Sequence, residues 1–122
     1  MSKGLFEGAL DVVVLDVDNE DVTPIGIYSA LSRIAIAKKN RRFNLVILTK
    51  LDHVKFYERY RDIISNNISL TLSIKRVRVE SCEDALKNLG TLITGGKVPI
   101  IVASEKCADL LKGFYNAEVE VV

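Results

Sequence analysis

The sequence predicts an α/β fold with three layers, in which a mostly parallel, open sheet of about five strands carries helices on both faces. Short β-branched runs alternate with longer amphipathic segments, in the order β-α-β-α-β-α-β-α-β. The first two runs are continuously apolar, which is typical of strands buried on both faces of a parallel sheet. The first helical segment has a wide apolar stripe, as expected of a helix that lies on a sheet.

The first half of the chain predicts two strand–helix units. Residues 12–17 form a β-branched run that is too short for a helix and predicts a buried strand. A helix over residues 24–39 follows, because Thr23 suits its N-cap and Pro24 suits its first helical position. The second strand and the second helix are predicted over residues 43–49 and 53–65.

The third strand is less regular than the first two. Apolar and polar residues alternate over residues 68–74, but Val77 and Val79 continue the apolar pattern in the opposite phase. A strand that faces one core cannot bury both phases. We therefore expect a bulge or a break near residues 75–76, or two separate segments.

The last part of the chain predicts two further helices and two further strands. Ser81 and Asp84 resemble a capping box, which indicates the start of a helix. Ser104 suits the N-cap of a short final helix, and the last strand is expected at an edge of the sheet. These four elements are predicted over residues 82–94, 98–103, 104–112 and 117–122.

Length and composition predict one globular domain over residues 1–122. Hydrophobic residues make up 48% of the chain and charged residues 27%, which argues against disorder. The net charge of +1 gives no reason in itself to expect a nucleic-acid or membrane partner. The sequence has neither a signal-peptide pattern nor an apolar run long enough to span a membrane, so we expect a cytoplasmic protein.

Cysteine and histidine are scarce in this sequence. Cys82 and Cys107 form one pair at most, and His53 is the single histidine, so a structural zinc site is not expected. A reduced interior is the default for a cytoplasmic chain. We expect Cys107 to be a buried packing residue and His53 to lie in a loop or a first helical turn.

Acidic residues follow each of the first four predicted strands. The loops that leave parallel strands gather at the carboxyl edge of the sheet, where ligands usually bind. The polar residues concerned are Asp16, Asp18, Asn19, Glu20, Asp21, Asp52, His53, Glu83, Asp84 and Glu105. Carboxylates that converge there would suit a hard divalent cation, Mg²⁺ or Mn²⁺. The alternative is that these short polar residues cap helices or lie in solvated loops.

Basic residues cluster in three other stretches of the chain. They are Lys38, Lys39, Arg41 and Arg42; Lys55, Arg59 and Arg61; and Lys75, Arg76 and Arg78. One interpretation is a solvated surface, with the first group complementing a helix dipole. The other is a surface that follows a nucleic-acid backbone, with Tyr57 and Tyr60 stacking on bases. Their helical spacing favours packing of these two tyrosines in the core.

The opening motif Asp16-Val17-Asp18-Asn19 resembles the Asp-x-Asp-Asn that ends the first strand of PIN-like nuclease domains of the NYN branch. An acidic residue at the head of a later helix, here Glu83 or Asp84, is also similar to that family. The resemblance follows the order and spacing of most of the chain. It implies a metal-dependent nuclease or an RNA-binding domain that uses Mg²⁺ or Mn²⁺.

The last motif of that family is a strand running into Ser-x-Asp-x-Asp, and this chain has Ser104-Glu105-Lys106 there. Only Glu105 stands in for the acidic positions, so a relative that has lost catalysis is an alternative. The residues that the resemblance implies are Asp16, Asp18, Asp84 and Glu105 as catalytic groups, and Asp16, Glu83 and Asp84 as metal ligands.

Other classes share the opening motif. Asp16-Val17-Asp18 and the later strand ending at Thr49 are similar to haloacid dehalogenase-type phosphatases. The same acids followed by Val-Thr-Pro-x-Gly-Ile resemble the first motif of DHH phosphoesterases. A further alternative is a non-catalytic interaction subunit of a nucleic-acid-processing complex. In that case the predicted terminal strand would pair with a protein partner or with a second copy of the chain.

Overall fold

The computed structural model describes residues 10–17, 22–40, 42–66, 71–92, 99–111 and 118–122. Within these ranges, strands and helices alternate in the predicted order. The elements are β1 (Leu10–Asp16), α1 (Pro24–Lys38), β2 (Phe43–Thr49), α2 (His53–Asn66), β3 (Thr71–Arg78), α3 (Cys82–Leu92), β4 (Ile100–Ala103), α4 (Glu105–Leu111) and β5 (Val119–Val121). The predicted α/β class is confirmed.

The sheet has the strand order β3-β2-β1-β4-β5, and every pairing in it is parallel. β1 lies at the centre, with Asp16 opposite Thr49 of β2 and Leu15 opposite Ala103 of β4. The chain moves outward from β1 in one direction through β2 and β3, and in the other through β4 and β5. The order therefore reverses between β1 and β4, and in open α/β sheets ligands bind at such a point.

Two separate cores cover the two faces of the sheet. Val12 and Val14 of β1 pack with α1 and α2 on one face. Val13 and Leu15 pack with α3 and α4 on the other. Strand residues alternate between the faces, so Asp16 continues the phase of Val12 and Val14 and its side chain faces α2. The three-layer architecture thus determines which helix meets the carboxylate.

The expected break in the third strand is wrong in its position. β3 is one strand over Thr71–Arg78, and its pairing with β2 shifts register between Phe43 and Asn44, near the start of β3. Ile74 packs on the α1 and α2 side, whereas Val77 packs on the α3 and α4 side. Because helices cover both faces, the two apolar phases of β3 can both be buried without a break at residues 75–76.

The predicted helix starts are confirmed, and β4 begins after Pro99, which lies directly before its first residue. Residues 93–94, 98, 112 and 117, where several predicted boundaries fall, lie outside the described residues. β5 is an edge strand, as predicted. No helix among the described residues is long and apolar enough to cross a membrane.

Cys82 and Cys107 form a disulfide that joins the first turn of α3 to the first turn of α4, with their Cα atoms 5.5 Å apart. Cys107 is also buried in the second core, as expected. Structural disulfides are typical of oxidising compartments. The expected reduced interior therefore does not account for this bond, and the cytoplasmic location stays a prediction.

Candidate functional site

Asp16 is fully buried although it carries a carboxylate. It is the last residue of β1, at the carboxyl edge of the sheet and next to the point where the strand order reverses. Removing a carboxylate from water is costly unless the charge is paired and hydrogen-bonded. The surroundings of Asp16 must therefore supply both a cation and hydrogen-bond donors.

The cation is Arg59, which reaches Asp16 from the second turn of α2. Its Nε donates to Oδ2 of Asp16 at 2.9 Å, and one of its terminal nitrogens donates to Oδ1 at 3.4 Å. The same guanidinium donates to the carbonyl oxygen of Val22, in the segment before α1. Arg59 thus connects the end of β1, α2 and the residue that leads into α1.

Tyr60 supplies the second donor. Its hydroxyl donates to Oδ2 of Asp16, and its ring packs against Phe56 with the ring centroids 5.0 Å apart. Burial, together with the nearby Asp16 charge, raises the pKa of Tyr60 well above its ordinary value. The phenol therefore stays protonated and remains a hydrogen-bond donor.

Arg59 is held in its charged form at this site. Burial opposes its charge, but the hydrogen bond with Tyr60 and the attraction of Asp16 outweigh that penalty and raise the pKa of Arg59. Only a fifth of its side chain is exposed. Both carboxylate oxygens of Asp16 are consequently engaged by donors from α2, in a charge-assisted arrangement that is fixed by two neighbouring residues.

The side chain of Asp84 caps α3. Ser81 Oγ accepts a hydrogen bond from the Asp84 N–H at 3.1 Å, and Asp84 Oδ2 accepts one from the Glu80 N–H at 2.9 Å. This is a variant of the predicted capping box, with Asp in place of the usual Glu and with the return bond made to the residue before the N-cap. The carboxylate of Asp84 is therefore occupied in starting α3, on the face of the sheet opposite to the side chain of Asp16.

Two of the other acids proposed for the site lie at exposed helix starts. Glu83 and Glu105 lie in the first turns of α3 and α4 and are exposed. Ser104 is buried and accepts from the Cys107 N–H at 3.3 Å, so it caps α4 as expected. Asp18, with residues 19–21, lies outside the described residues. Among the described residues, no three His, Cys, Asp or Glu side chains gather as a metal-binding group.

The residues proposed to contact nucleic acid are partly buried and partly exposed. Tyr60 is buried, so its predicted place in the core is confirmed, whereas the same prediction for Tyr57 is wrong because its side chain is exposed. Arg76 donates to the carbonyl oxygen of Leu51 at 3.2 Å, which gives it a structural role beside the loop after β2. His53 is the exposed first residue of α2, as expected.

The pairing of Asp16 with Arg59 and Tyr60 was missed from the sequence. A signal was nevertheless present. The sequence already favoured core packing for Tyr60, and the basic Arg59 stands directly beside it in α2. An aspartate at the end of a buried strand needs a cation, and the helix that follows the neighbouring strand is the nearest source of one.

Comparisons with known proteins add no relatives. No family model matches the chain, and neither a curated protein nor a solved structure matches it. The resemblance to PIN-like nuclease domains therefore stays a prediction. What the protein does has to be argued from its own residues.

Proposed function

We propose that this chain is a non-catalytic interaction domain, built on the frame of a PIN-like nuclease but without a working metal centre. The observation that carries the proposal is the state of Asp16, whose two oxygens both accept hydrogen bonds from α2. In a complex that processes nucleic acid, such a domain would contribute a binding surface rather than cleavage.

The charge at this position supports the proposal. A divalent cation in a nuclease neutralises the carboxylates that hold it. Here the guanidinium of Arg59 provides the neutralising charge, at 2.9 Å from Oδ2 of Asp16. A metal ion would have to displace Arg59 and leave its charge in a largely buried place, which is expensive.

Among the described residues, the acids near the carboxyl edge of the sheet give a metal little else to bind. Asp84 is engaged in its capping box, and Asp16 is buried among donors. These described residues do not fit a Mg²⁺ or Mn²⁺ centre, so we derive no reaction step through one. Metal-dependent cleavage or phosphate-ester hydrolysis stays the rival proposal, and it would have to draw on Asp18.

The first test is a cleavage assay. The protein is incubated with structured and single-stranded RNA in Mg²⁺ and in Mn²⁺, beside Asp16→Asn. We expect no cleavage by either protein above the level of a buffer control. RNA cleavage that disappears in Asp16→Asn would overturn the proposal, and turnover of an aryl phosphate lost in the same variant would do so as well.

The second test uses the sign of a stability change. Asp16→Asn keeps the side chain's size but leaves Arg59 without its counter-charge, so we expect it to lower the free energy of unfolding by about 3 kcal/mol. If Asp16 instead repelled other metal-binding acids, the substitution would relieve that repulsion and leave stability equal or higher. Urea unfolding distinguishes the two results. Glu105→Gln, at an exposed position on the same edge, is the control and should change little.

A further inference from the structure

α4 is a short helix that is anchored to the rest of the fold by two buried side chains. It has 7 residues, and those that are buried are Cys107 and Leu111. A helix of that length is not stable by itself in water, so its place depends on packing against its neighbours. One of its two buried anchors is therefore also a member of the disulfide.

The disulfide attaches α4 to a longer helix that is packed deeply in the same core. α3 has 11 residues, and its Ala85 and Leu89 are fully buried in the second core. Cys82 is the first residue of α3 and is bonded to Cys107. While this bond is intact, α4 cannot leave its place unless α3 moves with it. Such a movement would disrupt much of the second core.

Breaking the bond leaves α4 held by its own packing. α4 contacts α3, β4 and β5, and β5 is an edge strand of 3 residues. Segments with few buried side chains are those that open locally at the lowest free energy, without unfolding of the whole domain. We therefore expect α4 to open by itself once the bond is reduced, and to be prevented from doing so while the bond is intact.

A reductant can approach this disulfide from the side of Cys82. Cys82 is partly exposed, whereas Cys107 is almost fully buried. A thiolate of an external dithiol attacks the Cys82 sulfur, the S–S bond breaks, and the Cys107 sulfur leaves and takes up a proton. The second thiol of the reductant then displaces Cys82, which is also protonated. Two electrons have passed from the dithiol, now a disulfide, to the cysteine pair, and the exchange is reversible.

We propose that Cys82 and Cys107 form a redox switch, which holds α4 against α3 when oxidised and allows α4 to open when reduced. Opening would uncover Ile101 and Ala103 of β4, which are fully buried in the core that α4 covers. This goes beyond the proposed function and does not depend on it, because Asp16 faces α2 on the other side of the sheet.

The first test asks whether the bond is reversible in the folded protein. The natural chain is equilibrated with dithiothreitol, its free thiols are alkylated and counted by mass spectrometry, and circular dichroism verifies folding. We expect both thiols to appear while the protein is folded, and the bond to return when the reductant is exchanged for its oxidised form. A bond that dithiothreitol reduces only after unfolding in urea would overturn the proposal.

The second test compares two exposed lysines, one in each of the helices that the disulfide joins. They are Lys106 in α4 and Lys87 in α3, and trypsin cleaves such bonds when the segment has opened. Initial cleavage rates are measured in the oxidised natural chain and in Cys82→Ser, which lacks the bond. We expect the loss of the bond to raise cleavage after Lys106 at least about tenfold more than cleavage after Lys87. An equal rise at both lysines would overturn the proposal.

The third test measures the opening of α4 through the Cys107 thiol, which Cys82→Ser leaves as the single cysteine of the chain. Cys107 is 1% exposed, so a thiol reagent reaches it when α4 opens. The control is Val14→Cys in a chain that also carries Cys82→Ser and Cys107→Ala. Val14 is fully buried on the opposite face of the sheet, so its replacement should react when the whole domain unfolds.

Each labelling rate is divided by the rate for the same chain unfolded in urea, which removes differences in intrinsic reactivity. We expect Cys107 to react at least about tenfold faster than the thiol introduced by Val14→Cys, because local opening is easier than global unfolding. Equal rates would show that α4 opens only with the rest of the domain, and they would overturn the proposal.

Discussion

Tyr60 does two things that are usually done by separate residues. Its ring fills the core beside Phe56, and its hydroxyl donates to the buried carboxylate of Asp16. A core tyrosine normally needs such a polar partner, because an unpaired hydroxyl inside a protein is destabilising. Here the partner is charged, so the hydrogen bond is of the stronger kind.

Tyr60 should make the protein sensitive to alkali. Its pKa is raised in the folded state, so its contribution to stability is complete below the ordinary tyrosine pKa of about 10 and is lost as the pH rises beyond it. Tyr60→Phe should lower the free energy of unfolding by about 2 kcal/mol at neutral pH, because a hydrogen bond to a charged group is removed. The difference between the two proteins should shrink above about pH 10.

Urea unfolding at several pH values measures this effect. Tyr57→Phe is the matched control, since it removes a hydroxyl from an exposed ring on the same helix. That variant should keep both the stability and the alkaline loss of the natural chain. A constant difference between Tyr60→Phe and the natural chain up to pH 11 would contradict the assignment.

Single residues were the hardest part of the site to predict. The burial of a polar group at the end of β1 follows from the apolar run before it, so Asp16 was recognisable. Its partners were not, because a hydrogen bond across 43 positions of sequence depends on which face of the sheet α2 covers. That choice is made by packing, and no local pattern states it.

Helix starts, by contrast, are local features, and the sequence predicted them. Thr23 accepts from the Gly26 N–H at 3.0 Å, and Ser81 and Ser104 accept from the N–H groups three positions on. Each cap is made within four residues of the chain, so residue type and spacing are enough. The third strand was predicted less well. Its two apolar phases make sense only once it is known that helices cover both faces of the sheet.

The start of α2 should become less stable in acid, when Asp52 is protonated. Its Oδ1 accepts from the Lys55 N–H at 2.9 Å, and this hydrogen bond, with the nearby Lys55 charge, lowers the pKa of Asp52. A lowered pKa means that its contribution to stability is present above the usual value of about 4 and is lost as the pH falls through the folded value.

Asp52→Asn provides the comparison, because an amide can still cap a helix but carries no charge. The natural chain should be the more stable of the two at neutral pH, and the difference should disappear in acid. Urea midpoints from pH 7 down to about pH 2 measure it. If the difference stays constant across that range, the cap does not depend on the ionised carboxylate.

The whole molecule is held together on its α3 and α4 face by the disulfide. Cys82 and Cys107 are 25 positions apart, and closing a loop of that length should stabilise the fold by about 3 kcal/mol. Urea unfolding with and without a phosphine reductant measures this contribution. Cys82→Ser should match the reduced protein and should not respond to the reductant. A natural chain equally stable in both conditions would show that the bond does not form in solution.

The general architecture could be predicted, but the order of the strands could not. Alternating strand and helix segments indicate a parallel sheet with helices on both faces, and that was confirmed. Whether β4 joins the sheet beside β1 or beside β3 is decided by long-range packing. For the same reason, the sequence predicted Asp84 and Asp16 at the same edge of the sheet. It could not show that their side chains lie on opposite faces.

The strand order also bears on how the protein emerges from the ribosome. β1 pairs with β2 on one side, and on the other it pairs with β4, which begins only at Ile100. A nascent chain that has not yet reached Pro99 carries the central strand β1 with one side uncovered. Such an edge recruits other strands, and distant parallel partners join slowly. The interval before β4 has been synthesised is thus the one in which β1 is most open to pairing with a wrong strand.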